Sequence, residues 1–221
     1  MRPLDQAEIA DIVSKHGLTY QAVEHDDPLV VRTVISKTFP ISQQQMFDAF
    51  ADPVAHVGLF SIIVGSTPPI RKGLEGVLAP NEYFAFEHVQ ESSLPPRIMI
   101  MKYTLNPPHK ISKVGITDPF LPGDALTDNV LAMHPMDKKK ASVTMKFDAV
   151  GDQETRLTTD GEFVAETGAI FARGFIDHVW LNFFERLMVA NGTLTERDMK
   201  TEPKLTEVKL PGSKVPKPKL R

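Results

Sequence analysis

The sequence predicts an α+β fold in which a curved antiparallel sheet wraps around one long C-terminal helix. Residues 168–191 place apolar residues at helical spacing over several turns, with one internal glycine, Gly174. Before them lies a series of short segments rich in β-branched and aromatic residues, separated by proline, glycine and asparagine. An antiparallel meander with one apolar face needs a cover, and only the last helix is long enough to provide it.

The C-terminal helix is the longest regular element in the sequence. Its pattern runs from Gly168 to Asn191, Thr167 can cap its start, and Asn191-Gly192 supplies a stop signal. A helix of about two dozen residues is about 35 Å long, enough to cross a sheet. The predicted apolar stripe comprises Phe171, Ala172, Phe175, Ile176, Val179, Phe183, Leu187 and Ala190. The opposite, polar side is expected to carry Asp177, His178, Asn182 and Glu185.

A first helix and a first strand are predicted near the N-terminus. Residues 4–15 have an amphipathic helical pattern, and Gly17 ends it. The segment Leu29–Phe39 is rich in Val, Thr and Ile, which predicts a strand. Pro40 ends that strand because proline has no amide hydrogen to donate to a neighbouring strand.

Two short helices are predicted directly after this strand. Ser42 is a good N-cap residue, with Gln45 three positions later as its capping-box partner. The apolar face of the first helix comprises Met46, Phe47 and Phe50. Asp52-Pro53 stops this helix, and a second short helix continues to His56.

Five further segments in the middle of the chain are predicted to be strands, because turn residues separate them. They span residues 61–66, 74–79, 83–90, 98–105 and 110–116. Residues 115–140 contain DPFLPGD and HPMDKKK without a clear period, which predicts a long loop.

The last two strands form a predicted hairpin. Residues 142–149 alternate between apolar and polar side chains, as a half-buried strand does. The sequence GDQE then forms a turn, and residues 155–165 return as the partner strand. The inward set of this second strand is Leu157, Thr159, Gly161, Phe163 and Ala165.

The composition excludes several kinds of chemistry. The chain of 221 residues has no cysteine, which excludes disulfides, thiol catalysis and cysteine-based metal sites. Its net charge of −3 gives no indication of a nucleic-acid partner. The seven histidines lack metal-binding spacing, so neither a metal nor another cofactor is predicted. We see neither a signal peptide nor a transmembrane segment, and therefore expect a cytoplasmic protein.

The chain divides into three predicted parts. Residues 1–28 form an N-terminal helical extension, and residues 29–192 form the domain of sheet and helix. Residues 193–221 form a flexible tail rich in lysine and proline, whose charges are expected to be solvated.

Three stretches resemble the START-like, polyketide-cyclase-like superfamily known as SRPBCC. FPISQQQMFDAFADPVAH, residues 39–56, is similar to its strand end, helix and Asp-Pro break. YTLNPPHKI, residues 103–111, is similar to a proline-containing turn, and GDQETRLTTDGEF, residues 151–163, to the hairpin before the last helix. The resemblance covers roughly residues 29–191 and implies a helix-grip fold with a cavity between sheet and helix.

Strand parity then assigns the lining of the implied cavity. Large aromatic residues and adaptable methionines there suit a lipophilic small-molecule ligand. The alternative is that the same side chains fill a solid core. The assigned residues are Phe84, Phe86, His88, Met99, Met101, Tyr103, Met145, Phe147, Phe163, Phe171, Phe175, Val179 and Phe183.

Three polar residues are candidates for orienting or activating a ligand. His88 and Tyr103 share the parity of inward positions and could hydrogen-bond a ligand carbonyl or hydroxyl, or transfer a proton. Arg71, in a turn, could meet an anionic group. The alternative for His88 and Tyr103 is a position at the rim or, for a hydroxyl, a hydrogen bond satisfied within the core. The alternative for Arg71 is a solvated side chain.

Three functions are compatible with these residues. The first is binding or carriage of a lipophilic small molecule in the cavity. The second is an enzyme resembling polyketide cyclases and aromatases, in which pocket residues polarise carbonyl groups or move protons. The third is a protein-interaction module resembling the helix-grip activators of chaperones. Whether the protein is an enzyme stays open, and no feature of the sequence sets an oligomeric state.

Overall fold

Eight strands and three α-helices make up the regular structure of the residues that the structure describes. The computed structural model describes residues 2–27, 29–71, 78–90, 97–115, 141–164 and 169–201. In chain order the elements are α1 (Gln6–His16), β1 (Thr19–Val23), β2 (Val30–Phe39), α2 (Gln43–Ala51), a 3₁₀ turn (Pro53–His56), β3 (Ile63–Ser66), β4 (Glu82–Val89), β5 (Arg97–Asn106), β6 (Lys110–Gly115), β7 (Ala141–Gly151), β8 (Glu154–Val164), α3 (Ala169–Ala190) and a second 3₁₀ turn (Glu196–Asp198).

All eight strands belong to one antiparallel sheet. Their order is β1-β2-β8-β7-β6-β5-β4-β3, so β2 lies between β1 and the last strand. The predicted α+β class is confirmed, as are both short helices after β2 and the hairpin of β7 and β8. Most of the predicted strand at 74–79 and the predicted loop at 116–140 lie outside the described residues.

Local signals in the sequence explain where the helices begin and end. The Asp5 carboxylate accepts the amide of Glu8 at 2.9 Å, and Glu8 accepts the amide of Asp5 in return, which caps α1. Gly17 ends that helix with a φ of 58°, a backbone conformation that glycine adopts without strain. Ser42 caps α2 as predicted.

The edge strand β1 was not predicted from the sequence. It pairs with β2 along its whole length, from Thr19 opposite Ser36 to Val23 opposite Arg32. Residues before position 29 therefore supply the edge of the sheet, although the sequence indicated only a helical extension there.

The predicted polar side of α3 is buried. Asp177, His178, Asn182 and Glu185 are each at most 2% exposed. The Asp177 carboxylate accepts hydrogen bonds from Tyr20 and Thr33, at 2.8 and 2.7 Å. Segments far away in the sequence supply these partners, and helical periodicity cannot show them. None of the helices in the described part of the chain combines the length and apolar character needed to cross a membrane.

The chain after α3 returns to the same side of this helix at Lys200 and Thr201, two residues of the predicted flexible tail. Glu185 accepts hydrogen bonds from the amides of Lys200 and Thr201, at 2.7 and 2.8 Å, and from the Thr201 hydroxyl. His16 of α1 reaches the same carboxylate at 2.7 Å. We call these four residues the clasp, because they join α1, α3 and the segment after α3. The rest of the predicted tail, residues 202–221, lies outside the described residues.

Candidate functional site

Two neighbouring rows of inward-facing residues cross the sheet from β4 to β8. The first row contains Tyr83, Tyr103, Lys113, Val143 and Gly161. The second row lies one pleat closer to the end of β8, where α3 begins. It contains Ala85, Met101, Gly115, Ala141 and Phe163. Because three of its five members are glycine or alanine, we call it the small-residue row.

A buried ion pair and two further polar side chains lie beside these rows. Lys113 and Tyr103 belong to the first row, whereas Glu87 lies on β4 two residues after Ala85 of the small-residue row. The Lys113 Nζ atom is 2.9 and 3.2 Å from the two carboxylate oxygens of Glu87. The Tyr103 hydroxyl donates to Glu87 and lies 3.1 Å from His56 Nδ1. None of the four is more than 4% exposed. We call Lys113, Glu87, Tyr103 and His56 the polar cluster.

The 3₁₀ turn after α2 delivers His56 to the cluster. Asp52 caps this turn by accepting the amide of Val54 at 3.0 Å, and Pro53 occupies its first position. His56 Nε2 donates to the carbonyl oxygen of Phe50 at 3.2 Å, since a carbonyl can only accept. Nε2 therefore carries a hydrogen, and Nδ1 is the nitrogen that faces Tyr103.

Aromatic rings enclose the polar cluster. The rings of Tyr83 and Tyr103 are stacked with centroids 4.7 Å apart. The Lys113 ammonium lies 5.0 Å from the ring centroid of Phe60, within the range of a cation–π interaction. Phe60 in turn stacks on Phe183 of α3 at 4.4 Å. The charges are thus held in an apolar, desolvated environment between sheet and helix.

This environment fixes the protonation states in the cluster. Burial by itself would raise the pKa of Glu87, but the Lys113 ammonium and the hydrogen bond from Tyr103 outweigh it and hold that pKa well below its usual range. Burial, reinforced by the charge of Lys113, lowers the pKa of His56. Burial and the Glu87 charge raise the pKa of Tyr103 far above its usual value. At neutral pH, Glu87 is therefore ionised while His56 and Tyr103 are uncharged.

Two inward glycines have different nearest neighbours among the described residues. A Cβ atom on Gly161 would lie 2.5 Å from Cζ2 of Trp180 on α3. A Cβ atom on Gly115 would have its three nearest neighbours in Ala141 of the adjacent strand, the closest at 3.4 Å. Within the described ranges, α3 therefore lies directly on β8 at Gly161, whereas the tightest contacts of Gly115 are within the sheet.

Packing of the interior also differs between its two ends. Toward α2, the rings of Phe47 and Phe50 lie 5.8 and 6.0 Å from that of Phe147, which is fully buried. Toward the start of α3, Met99, Phe163 and Phe175 are only partly buried. The α2 end is therefore closed by aromatic rings, and the opposite end is covered less completely by the described residues.

Most of the predicted lining residues lie in the interior. Met101, Tyr103, Met145, Phe147, Val179 and Phe183 are buried in the core. Met99, Phe163 and Phe175 pack against that core with part of their surface exposed. The side chain of Phe171 lies outside the described part of the chain.

The predicted orientation of β4 is wrong by one residue. Tyr83, Ala85 and Glu87 face the interior, so Phe84, Phe86 and His88 face the other side of the sheet, where His88 is exposed. Hydrophobicity favoured the two phenylalanines. The inward position of the Glu87 carboxylate instead depends on Lys113. Because Lys113 lies two strands away, on β6, the sequence pattern of β4 alone does not predict it.

Of the three polar candidates, only Tyr103 belongs to the cluster. Arg71 is exposed and donates to the carbonyl oxygens of Ala79 and Pro80 in the turn before β4. Sequence reasoning missed Glu87, Lys113 and His56. One pattern in the sequence could have indicated such residues: a charged residue at the same strand parity as buried apolar residues. Lys113, two positions after the buried Ile111, is an example.

A single antiparallel sheet that packs around a long C-terminal helix is the architecture of the START-like class, and the chain has this helix-grip fold. One solved structure of this fold is a STAR-related lipid transfer protein from Xanthomonas axonopodis. It aligns with a TM-score of 0.57 and 8% identity over 80% of this chain and 94% of that one.

A second similar structure is the di-domain ARO/CYC StfQ from the steffimycin biosynthetic pathway. It aligns with a TM-score of 0.52 and 13% identity over 77% of this chain. This chain spans about half of that protein, covering 52% of it. At the level of sequence, no protein-family model and no curated protein matches the chain.

Proposed function

We propose that the protein binds a lipophilic small molecule between the small-residue row and the first half of α3, with the polar cluster at the base of the site. The observation that carries this proposal is the ion pair of Lys113 and Glu87, whose side chains are only 5% and 3% exposed. An interior that served packing alone would gain little from two buried charges, since apolar residues of similar volume are often at least as stabilising.

The surroundings of the ion pair are typical of a ligand site. Such sites are mostly apolar and contain a small number of well-placed polar groups. Here the polar groups lie beside a row in which three of five residues are glycine or alanine, and near Met99 and Phe175, which are only partly buried. Methionine and phenylalanine provide adaptable apolar contacts for an irregular lipophilic molecule.

The two proteins of similar fold support the same class of ligand by their names. One is called a lipid transfer protein and the other an ARO/CYC of a biosynthetic pathway. Both names agree with a small molecule held inside the fold, while the low identities limit the comparison to the fold itself.

The protonation states favour binding over acid–base catalysis. A catalytic acid or base works best with a pKa near the operating pH. The pKa of Glu87 is lowered and that of Tyr103 is raised, so both are displaced away from neutrality. His56 is likewise held in its uncharged form. The cluster therefore offers fixed hydrogen-bonding groups rather than groups ready to exchange protons.

Native mass spectrometry of the freshly purified protein tests this proposal. We expect a co-purifying lipophilic molecule in the wild type, and its loss in Gly115→Leu, which fills the small-residue row. Val114→Leu is the matched control, because Val114 is adjacent in sequence, points to the other face of the sheet and is 48% exposed. Thermal unfolding checks that both variants are folded. Retention of the same molecule by Gly115→Leu would contradict this location of the site.

A further inference from the structure

We infer that the bound molecule is uncharged and carries a hydroxyl group at the end that meets the polar cluster. This inference rests on the proposed binding function and narrows its ligand class. It is carried by the balance of charge and by the hydrogen-bonding capacity left in the cluster.

The charges in the cluster already balance. Lys113 and Glu87 form a pair at 2.9 Å, and both are buried. His56 lies 3.8 Å from the Glu87 carboxylate and remains uncharged. A carboxylate on the ligand would bring a second negative charge beside Glu87, and an ammonium group would bring a second positive charge beside Lys113. Either would be desolvated without a new partner, which is strongly unfavourable in an apolar interior.

Among the described residues, the cluster has an unused donor position on Lys113 and an unused acceptor position on Glu87. A lysine ammonium has three hydrogens, and two of those on Lys113 are directed at the oxygens of Glu87. Within the described ranges, the other close neighbours of this ammonium are the aromatic rings of Phe60 and Tyr103. Their centroids lie 5.0 and 5.7 Å from Lys113 Nζ. The donor position can therefore turn to an oxygen atom on a ligand.

The acceptor position is on Glu87. Its Oε1 atom accepts from both Tyr103 and Lys113, whereas Oε2 accepts from Lys113 alone within the described ranges. A carboxylate oxygen can accept two hydrogen bonds. A hydroxyl group both donates and accepts, so it can satisfy Glu87 Oε2 and Lys113 Nζ together, whereas a ketone or ether can satisfy only the lysine.

Trp180 provides the signal for the test. It is the only tryptophan in the chain, is 1% exposed, and its ring centroid lies 5.4 Å from that of Phe60, which covers Lys113. Titration near neutral pH with 1-decanol, decanoate and decylammonium compares three polar ends on one chain length. We expect 1-decanol to bind at least about tenfold more tightly than either ion, since the ions must be desolvated.

A single charge change should shift this preference. In Glu87→Gln the Lys113 charge is uncompensated, so the affinity for decanoate should rise by about tenfold. Glu82→Gln is the matched control. It lies on the same strand but on the opposite face, where Glu82 pairs with Lys102 at 2.9 Å, and it should leave all three affinities unchanged.

The possible results separate the two proposals. If none of the probes binds the wild type, the proposed binding function fails, and this inference fails with it. If the probes bind but the wild type prefers decanoate or decylammonium, or does not discriminate, only the inference is overturned. That comparison uses the wild type alone, so it stands even if Glu87→Gln does not fold. A folded Glu87→Gln protein without increased affinity for decanoate would also overturn the inference.

Discussion

Replacing Gly161 with alanine should destabilise the protein, because α3 lies directly on this glycine. The new Cβ atom would be 2.5 Å from Cζ2 of Trp180 and 2.7 Å from its Cε2 and Nε1. That is about 1 Å closer than a favourable contact between carbon atoms. The indole has little freedom to move away, since the rings of Phe60 and Phe183 lie 5.4 and 5.9 Å from it.

The size of the effect follows from two opposing contributions. Overpacking a well-filled core costs about 1–3 kcal/mol. Alanine also restricts the unfolded chain relative to glycine, which offsets about 0.4–1 kcal/mol of that cost. We therefore expect a net loss of about 1–2 kcal/mol in the free energy of unfolding, and a melting temperature lower by about 2–8 °C for a chain of this length.

Urea and thermal unfolding, followed by circular dichroism, measure this loss. The matched control is Gly115→Ala, also an inward glycine of the sheet, whose new Cβ would have its nearest neighbour at 3.4 Å. Because no close contact opposes the restriction of the unfolded chain, it should raise the free energy of unfolding by about 0.4–1 kcal/mol. An unchanged urea midpoint for Gly161→Ala would show that Trp180 does not rest on β8 as described.

Two further predictions concern buried carboxylates. Glu87→Gln should cost about 3–5 kcal/mol at neutral pH because Lys113 loses its counter-charge. The pKa of Glu87 is lowered in the folded protein, so its stabilisation is complete above about pH 4 and is lost as the pH falls. Urea unfolding in acid should thus show a weaker pH dependence in the variant, and an equal dependence would contradict the lowered pKa. Glu185→Ala should accelerate hydrogen exchange at the amides of Lys200 and Thr201, which donate to Glu185. Unchanged exchange there would argue against the clasp.

Local patterns were sufficient for most of the fold. The hairpin of β7 and β8 alternates cleanly because one face is buried, and α3 ends at Asn191-Gly192, where Gly192 has a φ of 79°. Such signals depend only on neighbours along the chain. The edge strand β1 lacked them, since its side chains are mainly exposed or half-buried and show little contrast.

The candidate site was harder to predict because its polar groups depend on partners distant in sequence. Tyr103 was identified from the parity of β5, whereas Glu87 was assigned to the wrong face of β4. A carboxylate is placed inside a protein only when a cation and hydrogen-bond donors compensate it, and here these are Lys113 of β6 and the Tyr103 hydroxyl of β5. The burial of the polar residues of α3 could not be predicted for the same reason, because Glu185 has its partners in α1 and in residues 200–201.

The position of β2 beside β8 has a consequence for how the protein is made. The ion pair of Arg32 and Asp160 joins residues 128 positions apart, and the contact of His16 with Glu185 joins residues 169 apart. During synthesis, β2 therefore emerges from the ribosome together with β1 but long before β8, its partner on the other side, exists. The free edge of a strand rich in valine and isoleucine is prone to pair with other chains. We expect folding to be completed only after α3 has been translated, in a slow step dominated by distant contacts.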